Sequence, residues 1–269
     1  MTALLQPTPA HSTLSPCACA CAGVHAPPHI AATPGQARQN QLLAALEPAD
    51  WERWLPQLEC VELEAGQVLC AYGSTPAYAI FPTTAIVSLI YTTLEGSSAE
   101  FAVVGNEGVV GISLFMGGLA TSSQAEVQSA GLGWRMPAHA LRHEVQHAGA
   151  ALATLLRYTQ ALIAQVVQTG ACYRRHAIDQ QLCRRLLMGL DRSASNDLTL
   201  TQEGAARLLG VRREGITAAA ARLQQDGVIR YRRGRIEVLD RHGLEARSCE
   251  CYRAAKREQQ RLLPSALFN

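Results

Sequence analysis

The stretch that decides the fold is LTQEGAARLLGVRREGITAAAARLQQDGVI, residues 200–229. Thr201 is a good N-cap for a helix over Gln202–Leu209, which Gly210 would end. A second helix opens at Arg212, Arg213 and Glu214 and stops at Asp226-Gly227. Ala205, Leu208, Leu209, Val211, Ile216, Ala220 and Leu223 fall on the inward side, which leaves Arg212, Arg213, Glu214 and Thr217 on the other. VIRYRRGRIEVLD then reads as a hairpin turning at Arg233-Gly234, with Ile236 and Val238 inward. Helix, tight turn, helix and hairpin make a winged helix-turn-helix.

The chemistry of that surface suits double-stranded DNA. The guanidinium of Arg213 can donate two parallel hydrogen bonds to guanine O6 and N7, and Glu214 can accept from cytosine N4. Arg232, Arg233 and Arg235 on the wing are placed for phosphates, which fix affinity rather than sequence. Thr201, Gln202, Arg212 and Thr217 are read as phosphate or flanking contacts. Arginine beside a helix N-terminus opposes the helix dipole, so helix propensity does not account for Arg212 and Arg213.

Charge is distributed accordingly. The formal net charge of the 269 residues is only +2, but residues 1–183 hold 7 Lys+Arg against 12 Asp+Glu, and residues 184–269 hold 17 against 10. An acidic body carrying a basic C-terminal piece fits a polyanion-binding module on a scaffold. A hydrophobic content of 48% is ample for packed cores.

Upstream, residues 1–37 are rich in Pro, Ala, Thr and Cys and read as a disordered tail. From Val61 to about Arg135, short β-type runs are separated by turn signals at Ala65-Gly66, Pro82, Glu95-Gly96-Ser97 and Gly131, which suggests a sandwich or barrel. At Pro137 the period becomes helical, through Leu141, Leu152, Leu155, Leu156, Leu162, Ile163 and Val166, with Gly149 a weak point and Gly170 a stop. So long an apolar stripe suits pairing with its own copy. A second helix is expected over about Tyr173–Leu190, and DRSASND is a polar linker. The expected architecture is α+β: a jelly-roll β-barrel over 38–136, a long dimerisation helix over 137–170, a winged helix-turn-helix over 171–246 and a tail over 247–269. Arg157, Gln160 and Gln165 interrupt the longest apolar run, so no membrane-crossing helix is expected. The first charged residue is Arg38, which argues against a secretory signal, and the nine cysteines read as cytosolic thiols.

With both halves in view, the chain resembles the Crp/Fnr-type bacterial transcription regulators over about residues 40–245. The resemblance rests on the order of elements, on GNEGVVGISLFMGG in the barrel, and on GVRREGIT leading to LQQDGVIRYRRGRIEVLD. It implies a cyclic-nucleotide-binding-like barrel, a cytoplasmic homodimer and DNA half-sites about one helical turn apart. It also implies an Arg-Glu pair that reads base edges, here Arg213-Glu214, and RNA polymerase as a further partner. Several members carry Arg four positions after the Glu, where this chain has Ala218. The members that bind cyclic nucleotides carry Gly-Glu for the ribose and Arg-Ser/Thr for the phosphate. Those positions are Gly111-Ile112 and Ser123-Gln124 here, so tight cAMP binding is not expected. No cofactor is expected, and no effector is assigned.

Other residue groups fit rival chemistries less well. His143-Glu144-x-x-His147, with His139 one turn earlier, matches the zinc-hydrolase helix motif, but the extended pattern fails and no acidic residue lies between Glu144 and Asp179 to complete it. A cupin-type metal barrel lacks histidine anywhere from Ala31 to Ala138. Oxygen-sensing members of the resembled family hold an iron–sulfur cluster through N-terminal cysteines, which makes a redox or iron–sulfur sensor the alternative function. Cys17, Cys19 and Cys21, however, are spaced more tightly than C-x2-C. Cys249 and Cys251 form a second pair, read as two exposed thiols and an incomplete metal site.

Overall fold

The computed structural model describes residues 33–263 apart from His147 and Ala194. Three short helices, α1 (Pro34–Ala37), α2 (Gln41–Ala44) and α3 (Pro48–Trp54), lead into the barrel. Helix α1 falls inside the stretch expected to be tail. Asn40, fully buried, explains why the chain is ordered so early. Its Oδ1 accepts from the backbone N–H of Leu42 and Leu43, capping α2, while its Nδ2 donates to the carbonyls of Pro82 and Gly108.

Seven strands follow: β1 (Glu59–Leu63), β2 (Val68–Cys70), β3 (Tyr78–Pro82), β4 (Ile86–Thr92), β5 (Ser98–Val104), β6 (Gln124–Ser129) and β7 (Gly131–Pro137), with α4 (Ser113–Met116) between β5 and β6. They form two antiparallel sheets, ordered β1-β7-β3 and β2-β6-β4-β5. Val61, Leu63, Phe81 and Met136 from one sheet meet Val87, Leu89, Val104 and Val127 from the other in a single buried core. This is the expected jelly roll, with the hairpin turns at Gly66 and Gly96 in the left-handed conformation that glycine adopts freely.

The helical connection departs from expectation. Helix α5 (Ala138–Val145) ends early, Ala148 takes a positive φ of 48°, and α6 (Ala150–Arg175) starts from Gly149. Gly170 does not stop α6; Thr169 and Cys172 are buried on either side of it, and packing outweighs the local propensity of one glycine. Tyr173 therefore belongs to α6, and α7 (Ile178–Leu190) begins later than expected. In length and composition α6 suffices to cross a bilayer, contrary to the sequence reading. Its inner face nevertheless packs on protein: Gln165 accepts from the backbone N–H of Val103 and donates to the same residue's carbonyl.

After α7 come β8 (Asp197–Thr199), where only linker was expected, then α8 (Gln202–Leu209), α9 (Arg213–Gln225), β9 (Ile229–Arg232) and β10 (Arg235–Val238). Strand β8 pairs with β10 and completes a three-stranded wing, β8-β10-β9. The expected C-terminal tail is instead largely helical: α10 (Arg241–Arg247) precedes α11 (Glu250–Leu262), which packs along α6. Cys249 and Cys251, expected to be exposed, are buried.

Ion pairs hold the winged-helix half against the barrel. On α7, Arg185 Nε lies 2.6 Å from Glu100 Oε1 of β5, and Arg192, just beyond α7, lies 2.6 Å from Glu107 Oε1; all four side chains are buried. A third pair is more open. Arg207 on α8 grips Glu126 on β6 through two hydrogen bonds of 2.9 and 2.7 Å, and the guanidinium holds the Glu126 carboxyl below the ordinary carboxylate range. A depressed folded-state pKa contributes stability above the unfolded value, about 4.3, that is lost as pH falls through the folded value. Because Arg207 is nearly half exposed, the contribution is under about 1 kcal/mol. Glu126→Gln is expected to remove that acid-side component of stability, measured by denaturant unfolding at pH 6 and pH 4, and to leave the rest of the pH profile unchanged.

Candidate nucleic-acid interface

The two helices of the motif are set by their ends. Thr201 Oγ1 accepts from Gly204 N at 2.9 Å as the N-cap of α8. At the other end Gly210 adopts φ 64°, and Val211 N donates to Ala206 O at 3.0 Å, closing the helix with a left-handed cap. Arg212 is the extended N-cap residue of α9, so Arg213 and Glu214 occupy its first turn. Ile216, Ala219, Ala220 and Leu223 turn α9 inward, and Gly215 lets it approach α7, since a Cβ there would meet Ile178 Cδ1 at 2.7 Å.

Three elements converge around this first turn. Thr217 Oγ1 on α9 donates to Gln202 Oε1 at the start of α8 at 2.8 Å. The wing turn lies against the same corner: Leu200 N donates to Gly234 O at 2.9 Å, and a Cβ on Gly234 would stand 3.1 Å from Thr201 Cγ2. Tyr231 of β9 donates through its hydroxyl to Leu200 O at 2.9 Å, and the charge of Arg213 reaches that phenol. Arg233 and Gly234 both adopt positive φ, 46° and 79°, as a tight hairpin turn of matching twist requires. Thr201, Gln202, Arg212, Arg213, Glu214, Thr217 and the wing arginines are thus brought to one region. Within it Gln202 and Thr217 already bond each other, which makes them struts of the corner.

From β8 through α10, residues 197–247, the ten arginines divide into two groups. Arg207, Arg222, Arg230, Arg241 and Arg247 each pair with a carboxylate, respectively of Glu126, Asp179, Glu237, Asp191 and Asp226. Arg212, Arg213, Arg232, Arg233 and Arg235 are exposed and have no carboxylate partner among the described residues. Within this range the paired arginines are spent on the fold, and the unpaired ones cluster at the start of α9 and on the wing. A protein donor array of this kind, beside a helix N-terminus, offers its charge to an external polyanion.

The other sequence-predicted positions fare differently. Gly111 has φ 103°, Ile112 is a half-buried apolar side chain and Ser123 is buried; Gln124 donates to Glu126 Oε2 at 2.8 Å. Glu144 pairs with Arg53 at 3.1 Å, and α5 ends at Val145, so the continuous helix that the zinc motif requires is not present there. His147, Cys17, Cys19 and Cys21 lie outside the described residues.

Residues 180–247 match the family model of the Crp-like helix-turn-helix domain. None of the curated proteins compared with the chain matches it. Among solved structures, the chain is similar to FixK2 from Bradyrhizobium japonicum at 14% identity, covering 71% of this chain and 98% of that one with a TM-score of 0.61. It is similar also to a regulator described as of the Crp/Fnr family from Eubacterium rectale, at 19% identity, 78% and 98% coverage and a TM-score of 0.57. A third, the c-di-GMP-responsive regulator CLP of Xanthomonas campestris, shows 15% identity, 71% and 99% coverage and a TM-score of 0.58. Residues 180–247 therefore form a Crp-like helix-turn-helix domain, and the chain as a whole has the fold of the Crp/Fnr-type transcription regulators.

Proposed function

We propose that this protein is a homodimeric, cytoplasmic, sequence-specific DNA-binding transcription regulator without catalytic activity. Arg213 and Glu214 read base edges. Arg212, Arg232, Arg233 and Arg235 hold phosphates, with Thr201 flanking them. The observation that carries this reading is the partition of arginines, in which five unpaired guanidinium groups gather where three elements converge. Binding should weaken steeply with salt, because each phosphate neutralised releases condensed counterions. A gel-shift titration against duplex DNA that showed no loss of affinity between low and high salt would refute it.

The dimer follows from the outer face of α6. Leu155, Tyr158 and Leu162 are consumed by the barrel, whereas Ala153, Leu156, Gln160, Ile163 and Val167 remain exposed. These five alternate at spacings of three and four, the a/d seam of a two-stranded coiled coil. Ile163→Glu is expected to convert dimer to monomer in sedimentation velocity while leaving the circular dichroism spectrum unchanged.

The barrel transmits a signal other than cAMP. At Ser123-Gln124 no guanidinium is present to neutralise a cyclic phosphate, and at Gly111-Ile112 an apolar side chain stands where the ribose would need a carboxylate. Calorimetric titration with cAMP is expected to show no binding at micromolar concentrations.

A further inference from the structure

Cys172 lies in the last turn of α6, and His176, four residues on, is the C-cap residue that follows it. The start of α11 supplies Cys249, its N-cap residue, and Cys251 in its first turn. The ligand atoms of these four residues all lie within 4.8 Å of one another. Cys172 Sγ is 3.5 Å from Cys249 Sγ, and Cys251 Sγ is 3.6 Å from His176 Nδ1. A tetrahedral ion with metal–sulfur bonds of about 2.3 Å separates its sulfur ligands by about 3.8 Å. The four atoms therefore have the spacing of one ion's ligand shell. The thiolates of a four-iron cluster bind four different irons and stand further apart.

Buried cysteines often serve simply as small apolar side chains, but two details here go beyond packing. His176 presents Nδ1 to the thiols while its Nε2 lies 3.2 Å from Glu250 Oε1. A carboxylate on the far ring nitrogen is the partner that orients a metal-bound histidine. The second detail is Arg184 on α7, which is buried and has no carboxylate partner among the described residues. Its Nη2 donates to Thr169 Oγ1 at 2.8 Å and its Nε has no hydrogen-bond partner. Its charge acts on Cys172 and Cys251. A buried, unpaired cation is costly. Three thiolates, a neutral imidazole and a divalent cation together carry one negative charge, and Arg184 balances it.

We propose that Cys172, His176, Cys249 and Cys251 form a closed, tetrahedral Cys3His site for a single divalent ion of zinc's class. Binding exchanges the thiol protons, released to solvent, for metal–sulfur bonds, with no change of oxidation state. Four protein ligands leave no open position, so the ion is structural. It fastens the start of α11 to the end of α6. It also fixes the two-residue joint, His176-Ala177, through which the DNA-binding half leaves the long helix.

The test uses the full chain, purified under reducing conditions, loaded with Zn2+ and freed of loosely held ion. Elemental analysis is expected to give one zinc per chain. Co2+ in its place is expected to give sulfur-to-cobalt charge-transfer bands and the intense visible absorption of tetrahedral cobalt. Mass-spectrometric mapping of thiol alkylation should show Cys172, Cys249 and Cys251 protected by zinc and released by chelation, with hydrogen exchange rising over residues 249–262. Cys172→Ser, His176→Gln, Cys249→Ser and Cys251→Ser should each weaken zinc binding by at least about tenfold. Cys183→Ser, a buried cysteine outside the group, and the triple variant C17S/C19S/C21S should retain it. Should the ligand variants fail to fold, the cobalt spectrum and thiol mapping of the unaltered chain still decide. Less than half an equivalent of zinc, a cobalt spectrum without thiolate bands, undiminished binding by the four variants, or equal loss from either control would overturn the site.

Discussion

Arg213→Ala is expected to flatten discrimination at the base pair it reads in each half-site while leaving the folded protein intact. A bidentate arginine–guanine contact contributes about 1–3 kcal/mol of discrimination. A symmetric dimer makes it twice, so the loss amounts to about 2–6 kcal/mol over the two half-sites. Arg213 is exposed and has no ion-pair partner among the described residues, so nothing in the fold is orphaned by its removal, and relief at the positive end of α9 favours the helix slightly. Thermal melting should be unchanged, and competition gel shifts should show specific affinity falling toward non-specific affinity, with substitutions at that base pair no longer costing affinity. Arg233→Ala gives the contrasting result: on the wing turn it loses a phosphate contact, so all sequences weaken alike and the salt slope flattens by about one per contact. Equal loss on specific and unrelated DNA for Arg213→Ala would remove it from the reading surface.

Glu100→Ala is expected to cost about 3–5 kcal/mol of stability, the penalty for leaving one partner of a buried ion pair uncompensated. Glu100 on β5 faces Arg185 on α7 at 2.6 Å, and its second oxygen accepts from Ser88 Oγ at 2.5 Å. Removing the carboxylate leaves the Arg185 guanidinium at the junction of barrel and winged-helix half without a counter-charge. For a chain of this size about 1 kcal/mol shifts the melting temperature by about 2–4 °C, so calorimetry reads the effect directly. Replacing the pair together, Glu100→Leu with Arg185→Met, is expected to recover most of the loss, because apolar substitutes of similar volume avoid the desolvation of both charges. Failure of the double variant to recover would mean that the pair acts through geometry rather than charge.

The barrel and the winged motif were legible because their punctuation is chemical. Gly66, Gly96 and Gly234 occupy left-handed positions, and Thr201 and Gly210 close the ends of α8. Where tertiary packing overrode local signals, sequence reading failed. Gly170 lies within α6 because its neighbours Thr169 and Cys172 are buried, and α11 reads as a charged tail because only a few side chains, among them Cys251, Tyr252 and Leu262, anchor it. The sequence nominates the residues of the proposed reading surface, yet the property that supports them, which arginines are paired and which are not, exists only in three dimensions. The cysteine–histidine group was missed for the same reason. Cys172 and His176 show helical ligand spacing, but Cys172 and Cys249 are 77 residues apart, and the carboxylate and guanidinium that complete their surroundings come from α11 and α7.

The most direct test of the account is selection of bound fragments from genomic DNA by the purified protein. Enrichment of a two-fold symmetric motif is expected, with half-sites centred about one helical turn, 10–10.5 base pairs, apart, and with the base pair read by Arg213 no longer selected by Arg213→Ala. Recovery of fragments with no shared motif, or of the same motif by Arg213→Ala, would contradict it.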